Sequence, residues 1–262
     1  MPHVFHLKKW YLDLITEDGR VFIGYVAHIR WWLLSIHYHG YLFLDAQGQV
    51  HHVNRFRRAK SPEQTAGQIC WRAPGIRGEW NATCSSYRET LLQNAHGSID
   101  WHCLMPAAEA KVVIESQEAF IGRGYVEHIE MSLPPWKFPI HRLYWGRYLS
   151  QQDHVVWIRW VSEQHPKVLL FHNGNRHEQA TIESESLQFN DYRLAMQDSC
   201  TLRSGSLGST VLSHAGWLKK LIPRSMLTLS ETKWRSQGNL FRQNSLISQG
   251  WAIHETVDWS TG

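Results

Sequence analysis

The chain has 262 residues, enough for one large domain or two small ones, each able to build a core. Its 27 Lys and Arg against 23 Asp and Glu give a formal charge of +4, too mild and too scattered to follow a phosphate backbone, which argues against nucleic acid as a partner. With 43% hydrophobic and 19% charged residues it is neither disordered nor fibrous, and no apolar run is long enough for integral membrane insertion.

Strand signals then dominate in chain order: short runs rich in Val, Ile, Tyr, Trp and Thr, cut by turn residues. Trp10 to Ile15 precedes Glu17-Asp18-Gly19, Val21 to Ile29 follows it, and Tyr41 to Leu44 leads into Ala46-Gln47-Gly48. Lys111 to Glu115, Arg142 to Leu149 and His154 to Val161 come next, and Val168 to Phe171 runs into His172-Asn173-Gly174. Gln179 to Glu183, Tyr192 to Gln197, Cys200 to Arg203 and Trp251 to Trp259 complete the set. Helical periodicity is confined to one short stretch, Ser213 to Leu221, stopped by Pro223. The pattern predicts an antiparallel all-β fold, sandwich or barrel, and disfavours βαβ architectures.

The N-terminal residues Met1-Pro2-His3-Val4-Phe5 carry no apolar core behind a basic start, so no secretory signal is expected and the cytoplasm is the expected compartment. Cys70, Cys84, Cys103 and Cys200 make neither a CxxC motif nor a dense framework and read as free thiols. No metal and no cofactor is expected. His102 and Cys103, adjacent on a strand, would point to opposite faces, and His28, His37, His39, His51 and His52 are scattered in parity. GxxxxGK[ST], HExxH and GxSxG are all missing, and Gly205-Ser206-Leu207-Gly208-Ser209 lacks the lysine of a phosphate loop.

Fourteen Trp and seventeen His are an unusual load. Indole is costly to bury without a partner for its N–H, so a cavity lined with indole is one reading; half-exposed strand faces, where aromatics are favoured anyway, are the other. A faint echo links Gly124-Tyr125-Val126-Glu127-His128 with Gly250-Trp251-Ala252-Ile253-His254. If it marks a duplication, each half is one small barrel, with domains at 1–120 and 121–262.

The most informative segment is Gly122-Arg123-Gly124-Tyr125-Val126-Glu127-His128, followed by Pro134-Pro135-Trp136 and Leu143-Tyr144-Trp145-Gly146-Arg147. Strand parity puts Tyr125 and Glu127 on one face, Trp145 and Arg147 on one, and Trp251, Ile253 and Glu255 on one. Two carboxyls, a phenol and several indoles could therefore line a single cavity.

Gly-x-Gly-Tyr-x-acid-His, a proline-bearing spacer and then Trp-x-Arg resembles the signature of the carotenoid 1,2-hydratase (hydroxyneurosporene synthase, CrtC-like) and AttH-like family. Tocopherol cyclases and lipocalin-like Diels-Alderases are more distant relatives of that group. Lys9-Trp10-Tyr11-Leu12-Asp13, Trp101-His102-Cys103-Leu104-Met105-Pro106 and Glu231-Thr232-Lys233-Trp234-Arg235 add weaker matches. The resemblance implies two tandem lipocalin-like β-barrels around a pocket for a hydrophobic, isoprenoid or polyketide-like molecule. The hydratases tend to carry Asp at the place of Glu127, Asn at that of Ile129 and Gly at that of Met131; Glu at the acid position is closer to the cyclases.

Protonating an alkene needs a neutral carboxylic acid, an apolar enclosure and electron-rich faces, each indole within about 6 Å adding roughly 0.5–2 kcal/mol. Glu127 is then the candidate acid and Tyr125 its orienting partner. Trp145, Trp234 and Trp251 are candidate walls, and Arg147 and Glu255 further lining residues. The competing readings are a Glu127 ion-paired to Arg123, Arg147 or Arg159, a Tyr125 buried as a core aromatic, and Glu231, Lys233 and Arg235 on an exposed strand face. A non-catalytic lipocalin-like carrier is the alternative function.

Overall fold

The computed structural model describes residues 5–115, 117–206, 209 and 229–259, and the Ser213–Leu221 segment lies outside them. Among the described residues there is no α-helix, only a short 3-10 turn at Pro135–Lys137, and no helix long and apolar enough to cross a membrane. The chain divides into two compact units, Met1–Lys137 and Phe138–Gly262.

The first unit contains β1 (Phe5–Thr16), β2 (Val21–Trp31), β3 (Leu34–Leu44), β4 (Val50–Arg55), β5 (Glu63–Thr65), β6 (Gln68–Ala73), β7 (Ile76–Ala82), β8 (Tyr87–Asn94), β9 (Gly97–Ile114) and β10 (Phe120–Met131). They form one antiparallel sheet in the order β4-β3-β2-β1-β10-β9-β7-β6-β5, with β8 also on β9. The second contains β11 (Arg142–Ser150), β12 (His154–Val161), β13 (Lys167–His172), β14 (Asn175–His177), β15 (Ala180–Ile182), β16 (Ser186–Phe189), β17 (Tyr192–Ser206), β18 (Ser230–Arg242) and β19 (Ser245–Asp258), in the order β14-β13-β12-β11-β19-β18-β17-β16-β15. The two orders match strand for strand. Strand β10 closes the first sheet against β1, so the chain divides after Lys137 and not at residue 120, where sequence placed the boundary.

Turn chemistry sets the hairpins. Gly19, Gly48 and Gly174 have φ of 83°, 77° and 86°, which glycine adopts without steric cost. Runs that sequence kept apart fuse across bulges: Tyr192–Gln197 and Cys200–Arg203 are one strand, with the register slipping between Gln197 and Cys200 and Asp198 at φ 50°.

Each sheet wraps an apolar cluster with one face. In the first unit that face carries Leu12, Leu14, Phe22, Val26, Trp71, Trp80 and Val126. In the second it carries Tyr148, Trp157, Leu170, Leu194, Leu240 and Ala252. Much of the tryptophan load is therefore core: Trp71, Trp80 and Trp157 are essentially inaccessible, and the Trp80 indole donates to the Asp13 carbonyl at 2.7 Å. Close packing of these rings demands glycine opposite them; a Cβ on Gly146 would lie 2.3 Å from the Trp157 ring.

Candidate functional site

In β1 and β10 the even-numbered residues Leu12, Leu14, Gly124 and Val126 face the apolar cluster, so Tyr11, Asp13, Tyr125 and Glu127 point to the opposite face. The expectation that Glu127 protrudes into the wrapped interior is thus corrected: the face around Val126 is packed with apolar side chains, and the acid sits on the sheet's other side. It is nevertheless buried, at 4% exposure, beside Asp13 and Tyr125 at 0% and Tyr11 at 2%.

These four residues form a lattice. Across the antiparallel pair Tyr11 stands opposite Glu127 and Asp13 opposite Tyr125. Along each strand the phenol donates to the acid two residues on: Tyr11 to Asp13 Oδ2 at 3.0 Å, and Tyr125 to Glu127 Oε2 at 2.7 Å. The carboxyl-bearing residues are diagonal neighbours, with backbones about 7 Å apart in such a ladder. Asp13 is thus a site residue that sequence reasoning passed over. The signal was present, because Tyr11-Leu12-Asp13 repeats the Tyr-x-acid spacing of Tyr125-Val126-Glu127.

Strand β9 completes the group through a distortion. Its register with β10 slips on both sides of Val126, near Pro106, which can donate no ladder hydrogen bond. Beyond the slip Cys103 stands opposite Glu127, and the Trp101 indole donates to Glu127 Oε2 at 2.7 Å. Burial, then the neighbouring Cys103 and Glu127, holds the Tyr125 phenol well above its usual range, so it stays a donor. Burial likewise pushes the Cys103 thiol well up, with both Glu127 and Asp13 adding to the effect, which places both carboxyls within electrostatic reach of its sulfur. The Tyr11 ring meets Tyr25 at 5.5 Å and Tyr125 at 6.0 Å, and Lys9 lies over Tyr25 at 5.6 Å.

The remaining expected site residues, Trp145, Arg147, Trp234, Trp251 and Glu255, belong to the second unit. Register puts Trp145, Arg147, Lys233, Trp251 and Glu255 on the face turned away from its apolar cluster. Trp234 faces the other way and stacks on His254 at 5.2 Å, so the three indoles do not form one wall. Two of them already meet the protein's own cations: Lys233 Nζ lies 5.0 Å from the Trp145 ring, and Arg235 Cζ 4.6 Å from the Trp251 ring. Glu255 accepts from Lys233, which is buried at 1% exposure and is not on the exposed face expected of it. Arg147, fully buried, donates to the Trp251 carbonyl at 3.1 Å.

No protein-family model and no curated protein matches the sequence. Solved structures do. An AttH protein of Nitrosomonas europaea superposes with a TM-score of 0.59 at 8% identity, covering 97% of this chain and 92% of that one. The protein CghA gives 0.59 at 11% identity, covering 98% and 89%, and a structure of it with Sch210972 gives 0.58 at 10% over the same shares. Kievitone hydratase from Nectria haematococca gives 0.54 at 9%, covering 97% and 89%. The fold is lipocalin-like. At these identities the likeness is one of architecture, and function has to be argued from the site. Glu255 accepts from the buried Lys233, and Glu127 accepts from a phenol and an indole.

Proposed function

We propose that the chain handles a hydrophobic, isoprenoid- or polyketide-like small molecule and carries out cofactor-free hydration or cyclisation of an alkene, with Glu127 as general acid. The observation that carries the reading is the buried lattice of Tyr11, Asp13, Tyr125 and Glu127. The reading requires one proton to be held between these two carboxyls, the arrangement acid–base sites use at neutral pH. Tyr125 and Trp101 both donate to Glu127 Oε2 and fix the orientation of the carboxyl. The alkene π pair takes the proton to form a C–H bond. Water then adds to the cation and returns a proton to the carboxylate pair, or an internal double bond adds and a C–H proton is lost to it. Tyr125 and Trp101 steady the carboxylate as it forms.

Similarity of fold to a protein named kievitone hydratase supports the reaction class, and the resemblance of Gly122–His128 to carotenoid hydratases supports the substrate class. Native mass spectrometry of the purified chain should reveal a co-purifying apolar molecule. With that molecule or its precursor, Glu127→Gln should lower turnover at least about 100-fold while affinity is kept; undiminished turnover would remove Glu127 from the chemistry.

A carrier reading is favoured by one feature. A cavity of about 540 Å³ lies on the Trp10 and Val26 side of the first sheet, the face opposite Glu127. A ligand held there by Glu127→Gln and native protein alike, with no product formed by either, would assign carriage instead.

A further inference from the structure

Strands β2 and β3 are joined by a two-residue loop, Trp32-Leu33, between the register pair Trp31 and Leu34. Both loop side chains stand in solvent, Trp32 at 77% and Leu33 at 102% exposure. Trp32 has φ 55°, a conformation bulky residues rarely adopt. The tip rests on an aromatic base, with Trp31 at 4.9 Å from Trp136 and Trp136 at 5.6 Å from Phe5.

Three register steps behind the tip, about 10 Å along the strands, His28 and His37 stack at 4.2 Å. They line the cavity together with Lys8, Trp10, Arg58 and Lys60. Cations gather at this end. Lys8 stands opposite His28 in the ladder, and Arg30 and Arg58 both act electrostatically on the His28 ring. Glu130 opposes them, accepting from Lys8 at 2.9 Å with His6 and His128 each at 3.9 Å. Among the described residues no ion pair engages Arg30, Arg58 or Lys60.

An exposed Trp-Leu pair is too small for a stable protein interface, which needs about 800 Å² per partner. It suits the boundary between lipid headgroups and acyl chains, where tryptophan is enriched and nearby cations attract anionic lipid. We propose that this end of the first unit docks on an anionic membrane surface, with Trp32 and Leu33 inserted at headgroup depth and Arg30, Arg58 and Lys60 on the lipid charges. The cavity behind the tip then opens where an apolar molecule leaves the bilayer.

Co-sedimentation of the full chain with vesicles of phosphatidylcholine, alone and mixed with phosphatidylserine, tests this without any substrate, so its outcome is separable from that of the Glu127 reading. Binding is expected to the mixed vesicles and to weaken with salt. Trp32→Asn with Leu33→Ser, which keeps a residue tolerant of positive φ in the loop, should lower it about tenfold or more. Arg58→Ser with Lys60→Ser should narrow the preference for the anionic vesicles. Failure to bind either vesicle, equal binding by the tip variant with an unchanged fold by circular dichroism, or a tip-dependent self-association in place of vesicle binding would each overturn the proposal.

Discussion

Glu127 and Glu255 occupy the same position in the two sheets. Each follows by five residues a glycine, Gly122 or Gly250, whose Cβ would collide with a carbonyl oxygen of the neighbouring strand, that of Ile15 at 2.0 Å or of Leu149 at 2.2 Å. Counting from those glycines, Tyr11 matches Trp145, Asp13 matches Arg147, and Cys103 matches Lys233. The sequence echo that paired Gly124 with Gly250 is therefore two residues out of structural register. In the second unit a lysine stands where the first has Cys103, and it pairs with Glu255.

This contrast gives a pair of expected outcomes. Lys233→Met strands Glu255 in a largely buried setting and should cost about 2–3 kcal/mol in urea denaturation, with Lys233→Met/Glu255→Gln recovering most of it. With Glu127 as the acid, turnover of the folded protein is expected to persist. A loss of turnover without loss of stability would shift the chemistry to the second unit.

Tyr125→Phe removes a donor to Glu127 Oε2 and little volume. A hydrogen bond to the charged form holds a carboxyl pKa down, so its loss should raise the pKa of the acid. Activity that needs the protonated acid falls as pH rises through that pKa. The alkaline limb of kcat/KM should therefore move up by about one pH unit in the variant. An unmoved limb would mean that Tyr125 does not act on Glu127.

His254 is buried with its Nε2 2.8 Å from Ser236 Oγ, and burial, then Lys233, lowers its pKa to about 4 from 6.5. Between these values the unfolded chain binds the proton and the folded one does not, so stability is lost as pH falls from 6.5 towards 4. The contribution is about 2–3 kcal/mol at pH near 4.5. His254→Gln should flatten the acid side of the stability curve by that amount relative to the native protein; parallel curves would show a ring that is protonated when folded.

Gly146→Ala drives a methyl group into the Trp157 ring and should cost about 2 kcal/mol or more. Gly174→Ala meets no atom within 4 Å but must hold φ near 86°, so its cost of about 1 kcal/mol is conformational alone. Thermal melts of the two variants separate packing from backbone preference, and equal shifts would show that Trp157 has room to move.

Local chemistry made the strands and turns legible. Alternation and β-branched or aromatic runs marked His154–Val161 with its observed ends, and asparagine-glycine and aspartate-glycine pairs marked the hairpins. Parity along a strand also paired Tyr125 with Glu127, because side chains two apart share a face in any strand. Parity alone could not say which face was wrapped around the apolar cluster, since both faces of β1 and β10 are buried and neither alternates with water. That choice, together with the Asp13 partner one strand away, the bulge that brings Trp101 to Glu127, and the lysine that meets Glu255, depends on register between segments up to about a hundred residues apart. Only the folded sheets fix that register, because it is set by cross-strand packing of large rings against glycines and not by any preference within a single strand.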